Sequence, residues 1–396
     1  MSIPGPFGGG NPFEGLFGEL AKLFSGQGPV NLDMARQMAQ WLAVGGQPEA
    51  NVDPIERIRF DELLRVADLH VAQATGLATS VTGGLLHTRA VGRGQWASLT
   101  LDAYRPLLEG LAAGLTATGD GDGDAGDAGA GDRDPTAEFL GGVTQMVGPL
   151  LLGMQSGSMV GHLATHSFGQ YDLPIPRPPS DELLVVPANV TTFATDWSLP
   201  LDDVRLWICL TEVTSHAVLG RPQVRERLGR LLNEYTRGFR PDPSALEQRL
   251  ASFDPSDPTS LQAAIGDPTE LLGVMQTAEQ RQLLARIAAL VAALVGYVDH
   301  VVDGAGARLL TSPEALSEAR RRRRVERNEG ERVVERLFGL ELGQDQFERG
   351  ATFVNGVVER AGEDGLARLW HSARELPTPA EVDAPGLWLE RIDIPD

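Results

Sequence analysis

Apolar residues recur at helical spacing over most of this chain. The stretch FDELLRVADLHVAQATG (60–76) shows the pattern clearly, with apolar positions three and four residues apart and a glycine at its end. Similar spacing predicts helices over much of 32–115, a helix pair from 135 to about 169, and helices near 221–238 and 277–303.

One stretch has a different pattern. DELLVVPANVTTFATDW (181–197) is rich in β-branched residues and bounded by serine and proline, which predicts a strand. The next residues, SLPLDD, place a proline near a first helical turn and two acids where they face the positive end of the helix dipole. They predict a helix over 202–219. The fold class expected is mainly α, or α+β with a small sheet.

Three segments lack this periodicity and suggest the domain limits. Residues 1–30, rich in Gly, Pro and Phe, are typical of a flexible tail, although their spaced Phe and Leu residues would also suit a short amphipathic helix. Residues 118–135 are typical of an acidic linker, and prolines interrupt 241–259. We therefore expect an N-terminal helical region (31–117) that packs against a main domain (136–396).

The acidic linker resembles a calcium-binding loop only superficially. Its alternating aspartates fit the first positions of an EF-hand, but Ala125 stands where the turn needs glycine. Gly131 stands where a bidentate glutamate is required. A solvated linker is the better interpretation.

The charge of the chain excludes some functions. A formal net charge of −20 argues against binding to nucleic acid or anionic membranes, which need basic surface. Cys209, the only cysteine, lies in an apolar run and is expected to be a buried hydrophobe. The apolar run 287–298 is too short to span a bilayer, and the N-terminal residues lack a secretory pattern. We expect a cytoplasmic protein.

The predicted helix 202–219 contains an incomplete zinc-peptidase motif. In His-Glu-x-x-His, two histidines on one helix face bind zinc and the glutamate polarises the attacking water. Here Thr211 and Ser215 stand at the histidine positions, and Glu212 stands at the glutamate position. By itself this glutamate has a simpler interpretation, as a helix-surface partner of His216 at i+4.

Seven stretches together give this chain a resemblance to a known family. They are ELLRVADLHVAQATGL (62–77), GQYDLPIP (169–176), VVPANV (185–190), DVRLWICLTEVTSHAVL (203–219), LVGYVDHVVD (294–303), FERGATFVNGVVERAG (347–362) and LWHSARELPTPAEVDAPGLWLERI (369–392). Their order resembles the actinobacterial zincin-like metallopeptidase family, whose members carry hydrolase or deazaflavin-coenzyme biosynthesis labels. The resemblance implies a zincin-like fold and zinc-dependent peptide hydrolysis.

The same resemblance assigns site residues. It places the two histidine ligands at Thr211 and Ser215 and a third, glutamate ligand at Val295, just before a Gly-Tyr pair. Only the catalytic glutamate has its counterpart, in Glu212, which would then be a vestigial general base. No metal is expected at these three positions, because two neutral hydroxyls and an alkyl group do not hold zinc.

Other histidines offer a relocated metal site as an alternative. His162 and His166 form an i, i+4 pair, His216 lies one residue beyond the motif, and His300 has aspartates nearby in sequence. The usual interpretation of such histidines is a surface or hydrogen-bonded role.

A run of five arginines, Arg320–Arg324, is flanked by glutamates. We interpret the run as a solvated helix end or an intramolecular partner of the acidic linker. Phosphate-loop, dinucleotide and nucleophile-elbow motifs are missing from the sequence.

The leading hypothesis is a non-catalytic pseudopeptidase that binds a peptide or protein partner. The alternatives are an active hydrolase with a relocated zinc or a metal-free Glu212 base, and a structural scaffold with a filled cleft. We expect no cofactor, except zinc if the site is relocated, and we do not predict a deazaflavin ligand. The sequence leaves the oligomeric state open.

Overall fold

The computed structural model describes residues 28–116, 135–239, 278–326 and 329–394. Its helices are α1 (Leu32–Ala43), α2 (Pro54–Thr75), α3 (Arg93–Thr116), α4 (Pro135–Ala164), α5 (Pro187–Asp196), α6 (Leu201–Leu219), α7 (Pro222–Arg237), α8 (Ala278–Leu309), α9 (Pro313–Val325), α10 (Glu329–Phe338), α11 (Gln344–Ala367), α12 (Pro379–Asp383) and α13 (Pro385–Asp393), with strands β1 (His87–Ala90) and β2 (Glu182–Val185). The predicted class, mainly α with a small sheet, is confirmed.

The sheet has two parallel strands, in which His87 pairs with Glu182 and Ala90 with Val185. The predicted strand 181–197 is therefore wrong beyond 185, because Pro187 begins α5. Proline suits a first helical position, since its φ is already helical and its missing N–H is not needed there. Strand β1 lies in a region predicted to be helical, and its four residues are too short for a clear alternating pattern.

Other helix predictions can be compared directly with the structure. The helix pair expected from 135 to about 169 is one helix, α4, with Pro149 inside it. The motif helix begins one residue earlier than predicted, at Leu201, and α8 runs to Leu309 instead of stopping near 303. Residues 118–134 of the predicted linker 118–135, the proline-rich segment 241–259 and residues 1–27 of the predicted tail lie outside the described residues.

Helices α6 and α8 form the centre of the protein. Helix α6 contacts α2, α5, α7 and α8, and α8 also contacts α11. Almost every residue of α6 from Asp203 onward is buried, as expected of a helix surrounded by protein. Helix α8 is long and apolar enough to cross a membrane. An 18-residue stretch of it has a mean hydropathy of 1.6, and 72% of this stretch is buried inside the protein.

The N-terminal helices pack onto the rest of the chain. Helices α1 and α3 lie against α4, α2 lies against α6, and α3 also contacts α7. Trp96 of α3 illustrates this packing, because its buried indole N–H donates to the Gly169 carbonyl at 2.8 Å. The loop that carries Gly169 is therefore held from the N-terminal side as well as from α6.

Candidate functional site

Helices α6 and α8 border a cleft of about 130 Å³, together with residues 163–174, α9, α10 and residues 342–347. We call it the central cleft. Much of its lining is apolar, and its charged residues come from α6, α8, α9, α10 and the loop at Asp172. The apolar members are Leu163, Phe168, Leu173, Pro174, Trp207, Ile208, Leu294, Val295, Val298, Leu342 and Phe347.

All four positions of the incomplete motif line this cleft. Thr211, Glu212 and Ser215 come from α6, and Val295 comes from α8. Residues four apart share a helix face, which explains why Thr211 and Ser215 lie together. Their juxtaposition with Val295, however, requires the packing of α6 on α8.

The side chains at these positions do not fit a zinc ion. Thr211 donates its hydroxyl to the Trp207 carbonyl at 2.9 Å, so this group is already used within the helix. Ser215 is 4% exposed and Val295 has no donor atom. Zinc sites in proteins use histidine nitrogen, thiolate or carboxylate, none of which these three residues supply.

Glu212 holds a loop against the motif helix. Its carboxylate accepts the backbone N–H of Gln170 at 3.0 Å and that of Tyr171 at 3.2 and 3.3 Å. The side chain is only 3% exposed, and Gly169 lies so close that a Cβ there would overlap the carboxyl group. The carboxylate therefore binds the loop backbone, a role that the motif alone does not indicate.

Burial changes the acidity of this group. Loss of solvent and the nearby charge of Asp172 raise the pKa of Glu212 to about 8, although the backbone N–H groups of Tyr171 and Gln170 lower it. Near neutral pH the folded protein therefore keeps a proton that the unfolded chain, with a pKa near 4.5, has released.

This difference predicts a pH-dependent stability. Because the folded-state pKa is raised, the contribution of Glu212 is fully present below about pH 4.5 and is lost as the pH rises through about 8. Glu212→Gln removes the titration while keeping a neutral side chain of similar shape. Relative to the variant, the wild type should lose about 2–4 kcal/mol of unfolding free energy between pH 5 and 8.

Urea unfolding at several pH values measures this difference. Glu234→Gln, at an exposed position on α7, is the matched control and should run parallel to the wild type. A constant gap between wild type and Glu212→Gln across the range would show that Glu212 does not titrate there.

Three of the five arginines on α9 turn toward the central cleft. Arg324 donates to both carboxylate oxygens of Asp299 at 2.6 and 2.7 Å, and Arg320 lies 3.4 Å from the same carboxylate. Arg323 stacks 3.8 Å from the Phe168 ring centroid and lies 3.4 Å from Asp172. Burial raises the pKa of Asp299, but the charge and hydrogen bonds of Arg324 together with the charge of Arg320 outweigh burial and lower it.

The arginine run is therefore not a solvated helix end throughout. Arg320 is 9% exposed, whereas Arg321 and Arg322 are exposed and pair with Glu318. Helical periodicity places Arg320, Arg323 and Arg324 on the inner face of α9 and the other two arginines on its outer face. A run of identical residues gives no hydrophobic pattern from which to predict these faces.

Asp203 fixes the start of α9, the helix that carries the arginine run, and the sequence did not predict this role. One of its carboxylate oxygens accepts the N–H and hydroxyl groups of Thr311 and Ser312, at 2.8 to 3.0 Å. Burial raises its pKa, but these hydrogen bonds outweigh burial and lower it. The Thr-Ser-Pro sequence before α9 is a helix-start signal, but nothing in it points to an acid 108 residues earlier.

Comparison with known proteins identifies the family behind this arrangement. A family model described as zincin-like metallopeptidase matches residues 30–389, nearly the whole chain. This chain belongs to the zincin-like metallopeptidase family. The assignment agrees with the zincin-like metallopeptidase part of the family prediction from the seven sequence stretches.

A solved structure shares the fold of this zincin-like protein. It comes from Chloroflexus aurantiacus and is described as "a putative hydrolase with a novel fold". The two chains are 24% identical with a TM-score of 0.63, and the match covers 93% of this chain and 100% of the other. A comparison with curated proteins found no match.

The histidines considered as replacement zinc ligands in this zincin-like protein lie apart from the cleft lining. His300 contacts Glu363 at 3.0 Å, and the rings of His162 and His166 lie tilted to each other with centroids 5.5 Å apart. His216 is buried, with Nδ1 2.9 Å from the Tyr171 hydroxyl, and burial lowers its pKa to about 4. Among the described residues, no three His, Cys, Asp or Glu side chains are grouped as metal ligands.

Proposed function

We propose that this zincin-like protein binds a peptide segment in the central cleft without hydrolysing it. One observation carries the proposal: the motif positions converge on one cleft, and Thr211, Ser215 and Val295 at the ligand positions cannot hold zinc. Peptide hydrolysis in this family would depend on a metal-activated water. Because Thr211, Ser215 and Val295 stand at the ligand positions, the chain keeps the cleft but cannot bind the zinc ion that would activate water for hydrolysis.

The position of Glu212 supports a non-catalytic role. A general base must reach a water or substrate proton, whereas the Glu212 carboxyl group accepts hydrogen bonds from the loop backbone. Its structural role gives a reason for its retention in a protein that does not catalyse hydrolysis.

The shape and lining of the cleft suggest its ligand. A volume of about 130 Å³ is close to the ~150 Å³ cavity that holds a benzene ring. Much of the lining is apolar, and Arg323 and Asp172 are among its charged residues. These features suit one apolar or aromatic side chain of a peptide, with the peptide backbone near the charged groups. An open cleft also argues against a scaffold whose cleft is filled.

Metal analysis tests the absence of catalysis. Protein purified without a chelator or a histidine tag should contain less than about 0.1 zinc per chain and should take up none when zinc is added. Unfolded peptides should remain intact after incubation with it. About one zinc per chain would contradict the proposal and direct attention to His162, His166, His216 and His300 as ligands.

Peptide binding needs a separate test, because a protein can lack zinc and also lack a ligand. A defined peptide library with varied apolar residues should yield binders that Val295→Phe, which fills the cleft, weakens about tenfold or more. The control is Leu85→Phe at a position 88% exposed and outside the cleft. Equal binding by both variants, or no binder at all, would contradict a role for the cleft in peptide binding.

A further inference from the structure

A second concave surface lies between α7, the first half of α8 and residues 373–379, with Arg391 of α13 at its edge. Its volume is about 760 Å³, and its lining shares no residue with that of the central cleft. We call it the arginine groove. Because the two linings are separate, anything argued for the groove stands independently of the proposed function.

The groove is basic in a strongly acidic protein. Five arginines and one glutamate line it, whereas the whole chain has a net charge of −20. The charged lining residues are Glu226, Arg227, Arg230, Arg286, Arg374 and Arg391. The chain has more acidic than basic residues, yet five arginines lie together in this one groove. Such a cluster indicates a site for a negatively charged ligand.

Three of the arginines have no neutralising partner among the residues that the structure describes. Arg227, Arg230 and Arg286 are exposed, and none of them makes a hydrogen bond or ion pair to any residue that the structure describes. By contrast, the arginines facing the central cleft all contact carboxylates. The groove therefore presents unpaired guanidinium groups, which favour carboxylate partners because they donate in a planar fork.

One wall of the groove is held in place by its own hydrogen bonds. Arg391 pairs with Glu381 and donates to the carbonyls of Arg374 and Leu376. On the other side, Gln223 donates to the Trp370 carbonyl at 2.6 Å. These contacts fix residues 373–379 relative to α7, so a ligand does not have to order this wall when it binds.

The floor of the groove is apolar. Leu231, Leu290, Leu376 and Pro377 lie among the lining residues and are buried. A free inorganic anion would gain nothing from such a floor, whereas a peptide with an apolar side chain between acidic ones would use both floor and rim. Nucleic acid is disfavoured, because the chain as a whole has a net charge of −20 and repels a long phosphate backbone.

We propose that the arginine groove binds a short acidic peptide segment of another protein. The carboxylates of the segment pair with Arg227, Arg230 and Arg286, and one apolar side chain contacts the floor beside Leu290. The ligand class follows from charge complementarity and from the apolar floor. A partner of this kind would dock on a face of the protein distinct from the central cleft.

Fluorescence anisotropy with a labelled peptide of alternating glutamate and leucine tests the proposal. We expect saturable binding to the full-length protein that weakens as salt is raised, because exposed ion pairs are screened. The combined variant Arg227→Gln, Arg230→Gln and Arg286→Gln should weaken binding about tenfold or more. Since all three side chains are exposed, the variant should fold as the wild type does.

A matched variant separates the groove from the overall charge. Arg57, Arg65 and Arg308 are also exposed and lie outside the groove lining, so replacing them with glutamine changes the net charge equally. This control variant should bind the peptide within about twofold of the wild type, because distant surface charges are largely screened.

Three results would overturn the proposal. One is absence of binding at low salt, and another is an equal loss of affinity in both variants. The third is a response to small anions alone, in which tripolyphosphate displaces the peptide and a glutamate–serine peptide binds as well as the glutamate–leucine peptide. None of these results bears on the central cleft, whose tests use zinc content and cleft-filling variants.

Discussion

Replacing Thr211 and Ser215 with histidine and Val295 with glutamate in one variant is expected to give a protein that binds one zinc ion. The three positions line the same cleft, and the two on α6 are one helical turn apart. Two imidazoles and a carboxylate supply three protein ligands and leave a fourth position for water, as in catalytic zinc sites. Each single variant should lack enough ligands to retain zinc through purification.

The expected effect is large. A wild type without measurable affinity should become a variant with a micromolar or lower zinc Kd, a binding free energy of about 8 kcal/mol or more. Isothermal titration and metal analysis measure the affinity, and added zinc should raise the Tm of the variant but not that of the wild type.

A control variant carries side chains of similar size and polarity that bind zinc poorly. Asn at 211 and 215 with Gln at 295 alters the same positions, and it should show no zinc-dependent change in Tm. If the histidine–glutamate variant folds but takes up no zinc, these positions do not correspond to the ligand positions of the family. The explanation of the cleft as a former zinc site would then fail, while the peptide-binding test would remain valid.

Gly350→Ala is expected to destabilise the protein by about 3 kcal/mol, near the upper end of the cost of overpacking. Helices α8 and α11 cross at Gly296 and Gly350, where the two backbones are in direct contact. A Cβ at Gly350 would overlap the Ala292 carbonyl oxygen, which belongs to helix backbone and cannot move aside as a flexible side chain would. The helices would have to separate.

The site of this crossing gives the variant a second consequence. Gly296 follows Val295 directly, so separation of the helices would shift the α8 wall of the central cleft. Peptide binding in the cleft should therefore weaken in Gly350→Ala, measured at a temperature where the variant is still folded.

Gly304→Ala is the matched control for the crossing. This glycine lies in α8 with open space around it, so alanine should stabilise the helix by up to about 1 kcal/mol. Urea unfolding of both variants measures the contrast. If Gly350→Ala unfolds at the same urea concentration as the wild type, the backbones of α8 and α11 are not in direct contact at Gly350.

Local sequence patterns predicted most of the helices in the described residues. The SLPLDD start and the apolar periodicity placed the motif helix within one residue of its observed beginning, because both signals depend on residues within a turn or two. The seven stretches predicted the family, which the family model confirms. The main local error was the strand predicted across Pro187. The β-branched residues around this proline favour a strand, although proline is also typical of the first position of a helix.

Contacts between distant segments could not be predicted in this way. Glu212 had two sequence interpretations, as a vestigial base and as a surface partner of His216, whereas the structure places its carboxylate against backbone 41 and 42 residues away. The inward turn of Arg320 and Arg324 likewise depends on Asp299, which lies on another helix. Periodicity assigns a residue to a helix face, but it does not say what that face meets.

The sequence by itself determined most of the helices, the family and the unsuitability of Thr211, Ser215 and Val295 as zinc ligands, because these depend on local spacing and on side-chain chemistry. Only the tertiary structure decided that the three positions share an open cleft, that Glu212 holds a loop, and that arginines from α7, α8 and the C-terminal segments line one groove. The physical reason is that helix formation is set by neighbours in the chain, whereas clefts and charge clusters arise where packing brings remote segments together.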